Sequence, residues 1–214
     1  MRKLVLQMRI SADGFVCGPN GEIDWLLRTM DESAISWIED TLLQAGVHIM
    51  GSRTFYDMIN YWPTSSNRLA KPMNEIPKMV FSKKGRIDTS AFGQTTQALK
   101  DARRLDVEHG IHPLTDEHRS SWTHAAIASG DLTTEISALK KQEGKFILAH
   151  GGASFAQSLV GLGLIDEYRL LIHPVILGKG LPLFSTVPTP TYLHLESSTM
   201  LETGIIANIY IPAY

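Results

Sequence analysis

Short apolar segments alternate along the chain with glycine-rich turns and with stretches whose apolar residues recur at helical spacing. The apolar segments predict strands over residues 3–10, 47–50, 78–81, 146–149 and 167–173. The first of these segments is almost continuously apolar, which is typical of a strand in the middle of a sheet. The pattern therefore predicts an α/β protein whose strands are separated by helices.

The stretches between the strands carry the helix signals. Helices are predicted over residues 31–45, 96–105 and 133–141, with two more beginning after glycines 51 and 152. Gly46 is predicted to stop the first of them, and Ser154 to cap the helix after Gly152. Gly161 and Gly163 are predicted to end that last helix, whereas the helix over residues 133–141 is predicted to be exposed.

The stretch 145–184 organises the chain, because it combines a strand, a glycine pair, a helix and a second strand. Gly151 and Gly152 follow the strand directly and allow a ligand to approach the backbone closely. Free N–H groups and the positive end of the helix dipole meet at such a turn, which makes it a candidate anion site. The alternative is a tight turn that binds no ligand.

Two other strand ends carry similar chemistry. Gly51, Ser52, Arg53 and Thr54 follow one strand, and Ser82 with Lys83 and Lys84 follows the next. Taken singly, the arginine and the lysines are ordinary exposed cations. Because the carboxyl ends of parallel strands lie on one edge of a sheet, the three ends together predict a phosphate-bearing ligand there.

Length and composition narrow the function classes. The 214 residues suit one α/β domain, and the net charge of −2 without a dense basic run argues against nucleic acid or an anionic membrane as a partner. A single cysteine, Cys17, excludes an intramolecular disulfide framework. The hydrophobic runs are too short to span a bilayer, so a reducing, cytoplasmic setting is expected.

The loop over residues 17–25 is rich in glycine and follows the first strand. Gly18, Pro19, Asn20 and Gly21 favour turn conformations. A mobile flap over a pocket and a surface Ω-loop explain this composition equally well.

The segment 86–121 is charged and contains His109, His112 and His118. Their spacing is not that of a helical zinc motif, and Pro113 breaks a helix through them, so no metal site is predicted. The preferred interpretation is a polar insertion.

As a set, the motifs resemble a known family. The order GPNGEIDW, HIMGSRTF, MVFSKK and LAHGGASF is similar to dihydrofolate reductase. SADGF, LIDEYR, HPV and GKGLPLF make the chain resemble more closely the reductase domain of the bifunctional deaminase-reductase of riboflavin synthesis, in its stand-alone form. The resemblance covers nearly all of the chain except about residues 86–121, which places one domain over residues 1–214 with an insertion. No deaminase zinc signature is present.

The resemblance implies a three-layer α/β/α dihydrofolate reductase-like fold. Its central sheet is mixed and mostly parallel, with a C-terminal antiparallel hairpin over residues 192–200 and 204–211. It also implies NADPH as cofactor and a small-molecule substrate beside the 17–25 loop, with Trp25 as the candidate substrate contact. The cofactor-binding residues that the resemblance implies are Ile10, Gly18, Gly51, Ser52, Arg53, Thr54, Ser82, Lys83, Gly151, Gly152, Ala153, Ser154 and Phe155.

One departure from the family pattern concerns the proton. Dihydrofolate reductase carries a carboxylate on its first helix, and the matching position here is about Ile35. Asp13 is the best candidate acid because of its place in the first loop, and ordering of the turn over residues 11–14 is an equally good explanation of this aspartate. The expected activity is NADPH-dependent reduction related to 5-amino-6-(5-phosphoribosylamino)uracil reduction. The alternatives are a cofactor-binding protein without efficient catalysis and a pterin reductase.

Assembly is the last expectation. The C-terminal hairpin is predicted to lie at a sheet edge, and residues 175–184 offer an apolar surface. Domains of the resembled family commonly pair, so a homodimer is expected.

Overall fold

The computed structural model of the protein describes residues 1–87, 95–114 and 120–213. Within these ranges the strands are β1 (Leu4–Ser11), β2 (Phe15–Cys17), β3 (Ala45–Gly51), β4 (Lys78–Phe81), β5 (Ala126–Ala128), β6 (Phe146–Ala149), β7 (Glu167–His173), β8 (Leu181–Pro182), β9 (Leu193–Met200) and β10 (Ile206–Pro212). The helices are α1 (Asp24–Leu27), α2 (Glu32–Leu43), α3 (Ser52–Ile59), α4 (Ala70–Glu75), α5 (Gln97–Glu108), α6 (Ser120–Thr123), α7 (Leu132–Lys141) and α8 (Ala153–Gly161), with a 3-10 turn at Trp62–Thr64.

The central sheet has the strand order β5-β4-β3-β6-β1-β7-β10-β9. Its strands from β5 to β7 run parallel, whereas β10 pairs antiparallel with both β7 and β9. This confirms the mixed, mostly parallel sheet with an antiparallel C-terminal hairpin. The same strand order confirms the central position predicted for β1, which lies between β6 and β7.

Alternation along the strands builds two cores, one on each face of the sheet. In β1, Leu4, Leu6 and Met8 pack with α7 and α8 on one face, which we call the α8 face. Val5 packs on the opposite face with buried residues of α2, α3 and α4, which we call the α2 face. Because a sheet that is apolar on both faces must be covered on both, the result is the three-layer α/β/α arrangement.

Helix α2 begins as its sequence predicts but ends earlier. The Asp31 carboxylate accepts a hydrogen bond from the Ala34 N–H at 2.8 Å and caps the helix. The prediction that Gly46 stops the helix is wrong, because α2 ends at Leu43 and Gly46 lies inside β3. Pairing of β3 with β6 begins at Ala45, so the sheet takes the residues that helical periodicity assigned to α2.

Helix α8 begins one residue before its predicted cap. Gly152 is the N-cap, with φ of +87°, and no side chain caps the helix. The prediction that Ser154 is the cap is therefore wrong. The left-handed conformation of Gly152 turns the chain directly from β6 into α8, so Ser154 already lies in the first turn.

The sequence pattern did not predict three features of the fold: strand β5, the β2–β8 pair and the buried face of α7. Strand β5 pairs with β4 at the sheet edge, and β2 pairs with β8 in a separate two-stranded sheet. Strands of two or three residues are too short to show alternation. Helix α7 is not fully exposed as predicted, because Ile136 and Leu139 lie three residues apart on one buried face.

The predicted insertion over residues 86–121 lies partly outside the described residues, and so does His118. Its helix α5 confirms the predicted helix and extends it to Glu108, with Thr96 as the cap. Leu99, Asp101 and Leu105 of α5 are buried, so this part of the segment is packed rather than merely polar and solvated. In the described part of the chain, no group of three or more His, Cys, Asp or Glu is placed to hold a metal ion. Nor does any helix described there have the length and apolarity needed to cross a membrane.

Candidate active site at the carboxyl edge of the sheet

The carboxyl ends of β4, β3 and β6 lie side by side, because these three strands are parallel neighbours. Gly51 closes β3, Ser82 follows β4, and Gly151 follows β6 with His150 between them. The structure thus brings together the three strand ends that the sequence singled out. Carboxyl edges of this kind are where open α/β sheets bind ligands.

The turns after β3 and β6 interlock through their glycines. Thr54 Oγ1 donates a hydrogen bond to the Gly151 carbonyl oxygen at 3.1 Å. A Cβ on Gly152 would overlap Thr54 Oγ1, and one on Gly51 would lie 3.3 Å from Phe155 Cβ. Glycine is therefore required at residue 152 and strongly favoured at residue 51, and the backbone there stays open to a ligand.

Helices α3 and α8 both begin at this edge without a side-chain cap. Their first-turn N–H groups and the positive ends of their dipoles are thus left to interact with a negatively charged ligand. Arg53, in the first turn of α3, is exposed, and so is Lys83 beyond β4. The Ser82 hydroxyl donates to the Arg86 carbonyl oxygen at 3.1 Å, so this buried serine shapes the turn that presents Lys83.

The loop before α1 is ordered around one carboxylate. Glu22 accepts hydrogen bonds from the Asn20 N–H at 2.9 Å and from Asn20 Nδ2 at 2.6 Å. A Cβ on Gly18 would overlap Glu22 Oε2, so the loop packs tightly at that glycine. The loop leads into α1, whose Trp25 is buried.

Asp13 is held in the turn after β1. Its carboxylate accepts hydrogen bonds from Ser11 Oγ at 2.6 Å, from the Gly178 N–H at 2.7 Å and from the Leu177 N–H at 3.2 Å. The Ser11 hydrogen bond, with those from the two backbone N–H groups, lowers the pKa of Asp13. A carboxyl group with a lowered pKa is ionised near pH 7, which favours the turn-ordering role over proton donation.

The family can be assigned once this geometry is set beside known proteins. The RibD C-terminal domain matches residues 2–207. The chain belongs to this family.

Two known proteins are similar to this chain over nearly their full length. The Bacillus subtilis (strain 168) protein YyaP is 29% identical over 209 residues, which are 98% of this chain and 94% of that protein. Among solved structures, a riboflavin biosynthesis protein from Shewanella sp. PV-4 aligns with a TM-score of 0.63 at 18% identity, covering 99% of each chain.

A Thermotoga maritima diaminohydroxyphosphoribosylaminopyrimidine deaminase/5-amino-6-(5-phosphoribosylamino)uracil reductase aligns with a TM-score of 0.63 at 16% identity. The alignment covers 99% of this chain and 57% of that one. At these identities the solved structures establish the fold of this RibD C-terminal domain, and the family match establishes its membership.

On the α2 face, behind the carboxyl edge, this RibD C-terminal domain holds a group of buried side chains that the sequence reasoning missed. Gln7, His48, His150 and His173 are each at most 9% exposed. Arg9 is only partly buried, and it follows Gln7 on the same face of β1, since both alternate with residues of the opposite core. We call Gln7, Arg9, His48, His150 and His173 the buried polar cluster.

The histidines of the buried polar cluster are neutral near pH 7. Burial, and then the charges of Lys78 and Arg9, lower the pKa of His150 to about 3. Burial and the Arg9 charge lower the pKa of His173 to about 3, and burial, His150 and Lys78 hold that of His48 well below 6.5. The rings of His48 and His150 meet edge to face, with centroids 4.4 Å apart.

Trp25, the residue for which the resemblance implied substrate contact, lies beside this cluster. Its ring meets His173 edge to face at 5.4 Å, and Thr29 Oγ1 lies 2.6 Å from His173 Nδ1. The Ile23 N–H at the start of α1 donates to Asp101 Oδ2 of α5 at 3.0 Å. The segment interpreted as a polar insertion therefore positions α1 and its tryptophan.

The acidic residues near the position of the dihydrofolate reductase carboxylate are engaged elsewhere. Asp31 caps α2 and accepts the Thr203 N–H at 2.8 Å, while Glu32 and Glu39 both pair with Arg68. Within the described residues, α2 thus directs no carboxylate into the buried polar cluster. Sequence spacing indicated that the carboxylate of dihydrofolate reductase is missing here. Only the contacts show which partners the nearby acidic residues bind.

Proposed function

We propose that this chain is an NADPH-dependent reductase acting on a small heterocyclic or sugar-like substrate. The observation that carries the proposal is the interlocked glycine edge. Gly51 and Gly152 leave room for a ligand where two uncapped helices begin. That arrangement fits a dinucleotide pyrophosphate, whose charge suits the N–H groups and dipoles of both helices.

Different residues around this edge would bind different parts of the cofactor. Gly51, Ser52 and Thr54 on one side would hold the pyrophosphate, with Gly151, Gly152, Ala153, Ser154 and Phe155 on the other. Arg53 and Lys83 would pair with the 2′-phosphate, and the Ile10 backbone, with Gly18 nearby, would border the nicotinamide. When bound, the cofactor supplies a hydride to an electrophilic carbon of the substrate.

The family and its relatives support a reductase of the riboflavin pathway type. The Thermotoga maritima protein of the same fold is named for reduction of 5-amino-6-(5-phosphoribosylamino)uracil. A pterin reductase is disfavoured, because Asp31, Glu32 and Glu39 are all committed to other partners. We assign Asp13 to the architecture of the turn, with Trp25 on the substrate side of the site.

Cofactor preference is the first test of the proposal. We expect NADPH to bind more tightly than NADH by about 1–3 kcal/mol, because charge-assisted contacts to one more phosphate favour it. The measurement is titration of both cofactors by quenching of protein fluorescence from the four tryptophans. Replacing Arg53 and Lys83 together by alanine should abolish the preference. The control replaces exposed Lys141 and Lys145, which removes the same charge before the amino end of β6. Equal affinities in the unaltered protein would refute the assignment.

Turnover separates a reductase from a protein that only binds the cofactor. The near-ultraviolet absorbance of NADPH should fall when 5-amino-6-(5-phosphoribosylamino)uracil is added, because its ribose carries the carbon that accepts the hydride. Tight NADPH binding without such a decrease, across a panel of heterocyclic and sugar carbonyl compounds, would favour the binding protein instead.

A further inference from the structure

We propose that the buried polar cluster forms the substrate subsite and binds an oxyanion of the substrate through Arg9. Gln7, His150 and His173 would flank that oxyanion as hydrogen-bonding groups. The inference rests on the proposed reductase function, and it adds the chemical class of the substrate and the residue that selects it.

Arg9 occupies a position from which it reaches both neighbouring strands. In the β1–β7 register Arg9 lies opposite Leu171, and Ser11 lies opposite His173, two residues towards the carboxyl edge. On the other side, Leu6 lies opposite Ala149, so His150 follows at the level of Gln7. The Arg9 charge acts on the pKa of both His150 and His173, which places the guanidinium close to the two imidazoles.

The Arg9 cation has no protein counterion in the described part of the chain. None of the ion pairs there includes Arg9. Burial lowers the pKa of Arg9, and among the described residues Tyr61 partly opposes that effect but no carboxylate does. Arg9 is only partly buried, but shielding a guanidinium from water without a partner still opposes folding, so this arginine is expected to meet an anion from outside.

Several buried polar atoms around Arg9 lack a partner as well. Four atoms are buried and make no hydrogen bond within the described ranges: Gln7 Nε2, His150 Nε2, His173 Nε2 and Trp25 Nε1. The Gln7 and Trp25 atoms can only donate, and the two imidazole atoms donate or accept according to tautomer. Since buried polar groups in folded proteins are almost always paired, this concentration indicates that a ligand with acceptor atoms completes the site.

The charge balance excludes a cationic ligand. Lys78, the second buried cation near His48 and His150, donates to the Ile76 carbonyl oxygen and to Ser121 Oγ. The phenol of Tyr61, which also lies near Arg9, donates to Asp106 at 2.8 Å. The three histidines contribute no negative charge. The subsite therefore favours a carboxylate or phosphate oxygen, which a guanidinium binds well.

The place of Arg9 also suits the proposed chemistry. It directly precedes Ile10, whose backbone would border the nicotinamide. An oxyanion held at Arg9 would keep the attached carbon skeleton beside the hydride donor, and the Trp25 ring near His173 would cover it. Positioning of this kind is how a binding group contributes to the rate of hydride transfer.

The test compares three aromatic probes of similar size: benzoate, phenylphosphonate and neutral benzamide. Binding is measured by tryptophan fluorescence and by calorimetry, with and without NADP⁺. We expect at least one of the two anions to bind at least tenfold more tightly than benzamide. Whichever anion binds more tightly identifies carboxylate or phosphate as the preferred oxyanion. Binding of benzamide as tight as that of both anions, or no binding of any probe, would overturn the proposal.

The Arg9→Met variant should lose at least tenfold in anion affinity and leave benzamide unaffected, whereas Arg9→Lys should keep part of the preference. Arg169→Met is the matched control, because Arg169 lies on the same face but already pairs with Glu167 at 2.7 Å. Circular dichroism checks that each variant folds, and Arg9→Gln replaces Arg9→Met if the latter does not. Unchanged anion binding in a folded Arg9 variant would contradict the assignment.

The oxyanion subsite and the NADPH-dependent reductase function can be refuted independently of each other. NADPH affinity is measured in the same proteins and should be unchanged within about twofold by Arg9→Met, because Arg9 is outside the glycine edge. If the unaltered protein binds NADPH but prefers neither anion over benzamide, only the oxyanion subsite is refuted. Failure of the unaltered protein to bind NADPH refutes the reductase, while the probe series without NADP⁺ still tests the anion site.

Discussion

At the scale of single residues, the site depends on residues in sterically or electrostatically demanding environments. Gly152 adopts φ of +87° against Thr54, and Lys78 is buried with its ammonium group over the Trp122 ring, 4.5 Å from the centroid. Each places a steric or electrostatic demand on the fold that no neighbouring residue in sequence reveals. Single substitutions at these positions therefore have specific, measurable consequences.

Gly152→Ala should destabilise the protein and weaken NADPH binding together. The strained φ and the overlap with Thr54 Oγ1 predict a loss of about 2–4 kcal/mol in the free energy of unfolding. Urea unfolding and fluorescence titration measure the two effects. Gly163→Ala is the control, since its φ of +63° imposes strain but its Cβ meets nothing within 4 Å. Equal losses in the two variants would mean that the contact with Thr54 is unimportant, and Thr54→Ala should partly rescue Gly152→Ala.

Lys78→Met should change how stability depends on pH. Burial lowers the pKa of Lys78 from 10.5 to about 7, so the unfolded chain binds more protons between those values and the Lys78 contribution to stability rises with pH. Raising the pH from 7 to 9.5 should therefore stabilise the unaltered protein relative to Lys78→Met by on the order of 1–3 kcal/mol. Urea unfolding at both pH values gives the difference. Parallel pH profiles would show that Lys78 keeps an ordinary pKa.

At the scale of elements, α5 holds α1 in place. Asp101 of α5 accepts the Ile23 N–H at 3.0 Å and Gln97 Nε2 at 2.8 Å, and Tyr61 after α3 donates to Asp106 of the same helix. Burial, then the hydrogen bond to Asp106, raises the pKa of Tyr61, so the phenol stays protonated. The segment interpreted from the sequence as a polar insertion thus packs against α1, which carries Trp25.

Asp101→Ala should release α1 without unfolding the sheet. It leaves the Ile23 N–H unpaired, at a cost of about 1–3 kcal/mol. We expect faster amide exchange over residues 23–28 and a changed Trp25 emission, with anion binding weakened more than NADPH binding. Asp40→Ala, an exposed aspartate on α2, is the control. Unchanged exchange in this segment would show that α5 does not position α1.

At the scale of the whole molecule, the C-terminal strands leave apolar surface uncovered. Strand β9 is the outermost strand of the sheet, and Met200 on it is 76% exposed. Near the start of β7, away from the carboxyl edge, a cavity of about 420 Å³ is lined by residues that include Tyr168, Phe184 and Leu193. Edge strands and apolar clefts of this kind are commonly covered by a partner.

We therefore keep the proposal that the chain forms a homodimer through its C-terminal region. Sedimentation velocity at micromolar concentration should show a species of twice the 23.7 kDa chain mass. Met200→Lys on β9 should shift it towards monomer, whereas Val107→Lys on α5, at a similarly exposed apolar residue, should not. A single monomeric species at all concentrations would contradict the dimer.

The sequence by itself determined the elements that depend on neighbours in the chain. The apolar segments at Phe146–Ala149 and Glu167–His173 form strands with the predicted bounds, because alternation and flanking polar residues report local burial. The glycines at 51 and 152 were found for the same reason, since each lies where a strand end gives way to a helix. The sequence motifs also identified the family, and the fold of that family implied the C-terminal hairpin.

The tertiary structure alone decided what these elements bring together. Arg9, His150 and His173 are more than 20 residues apart in every pairing, and they meet only because β1 lies between β6 and β7 in a particular register. Asp101 reaches α1 through packing of a helix that no motif marks. Whether a buried cation has a counterion, and whether an acid is free, depends on such long-range contacts. Local sequence patterns carry no information about them, because side-chain pairing is set by strand order and register.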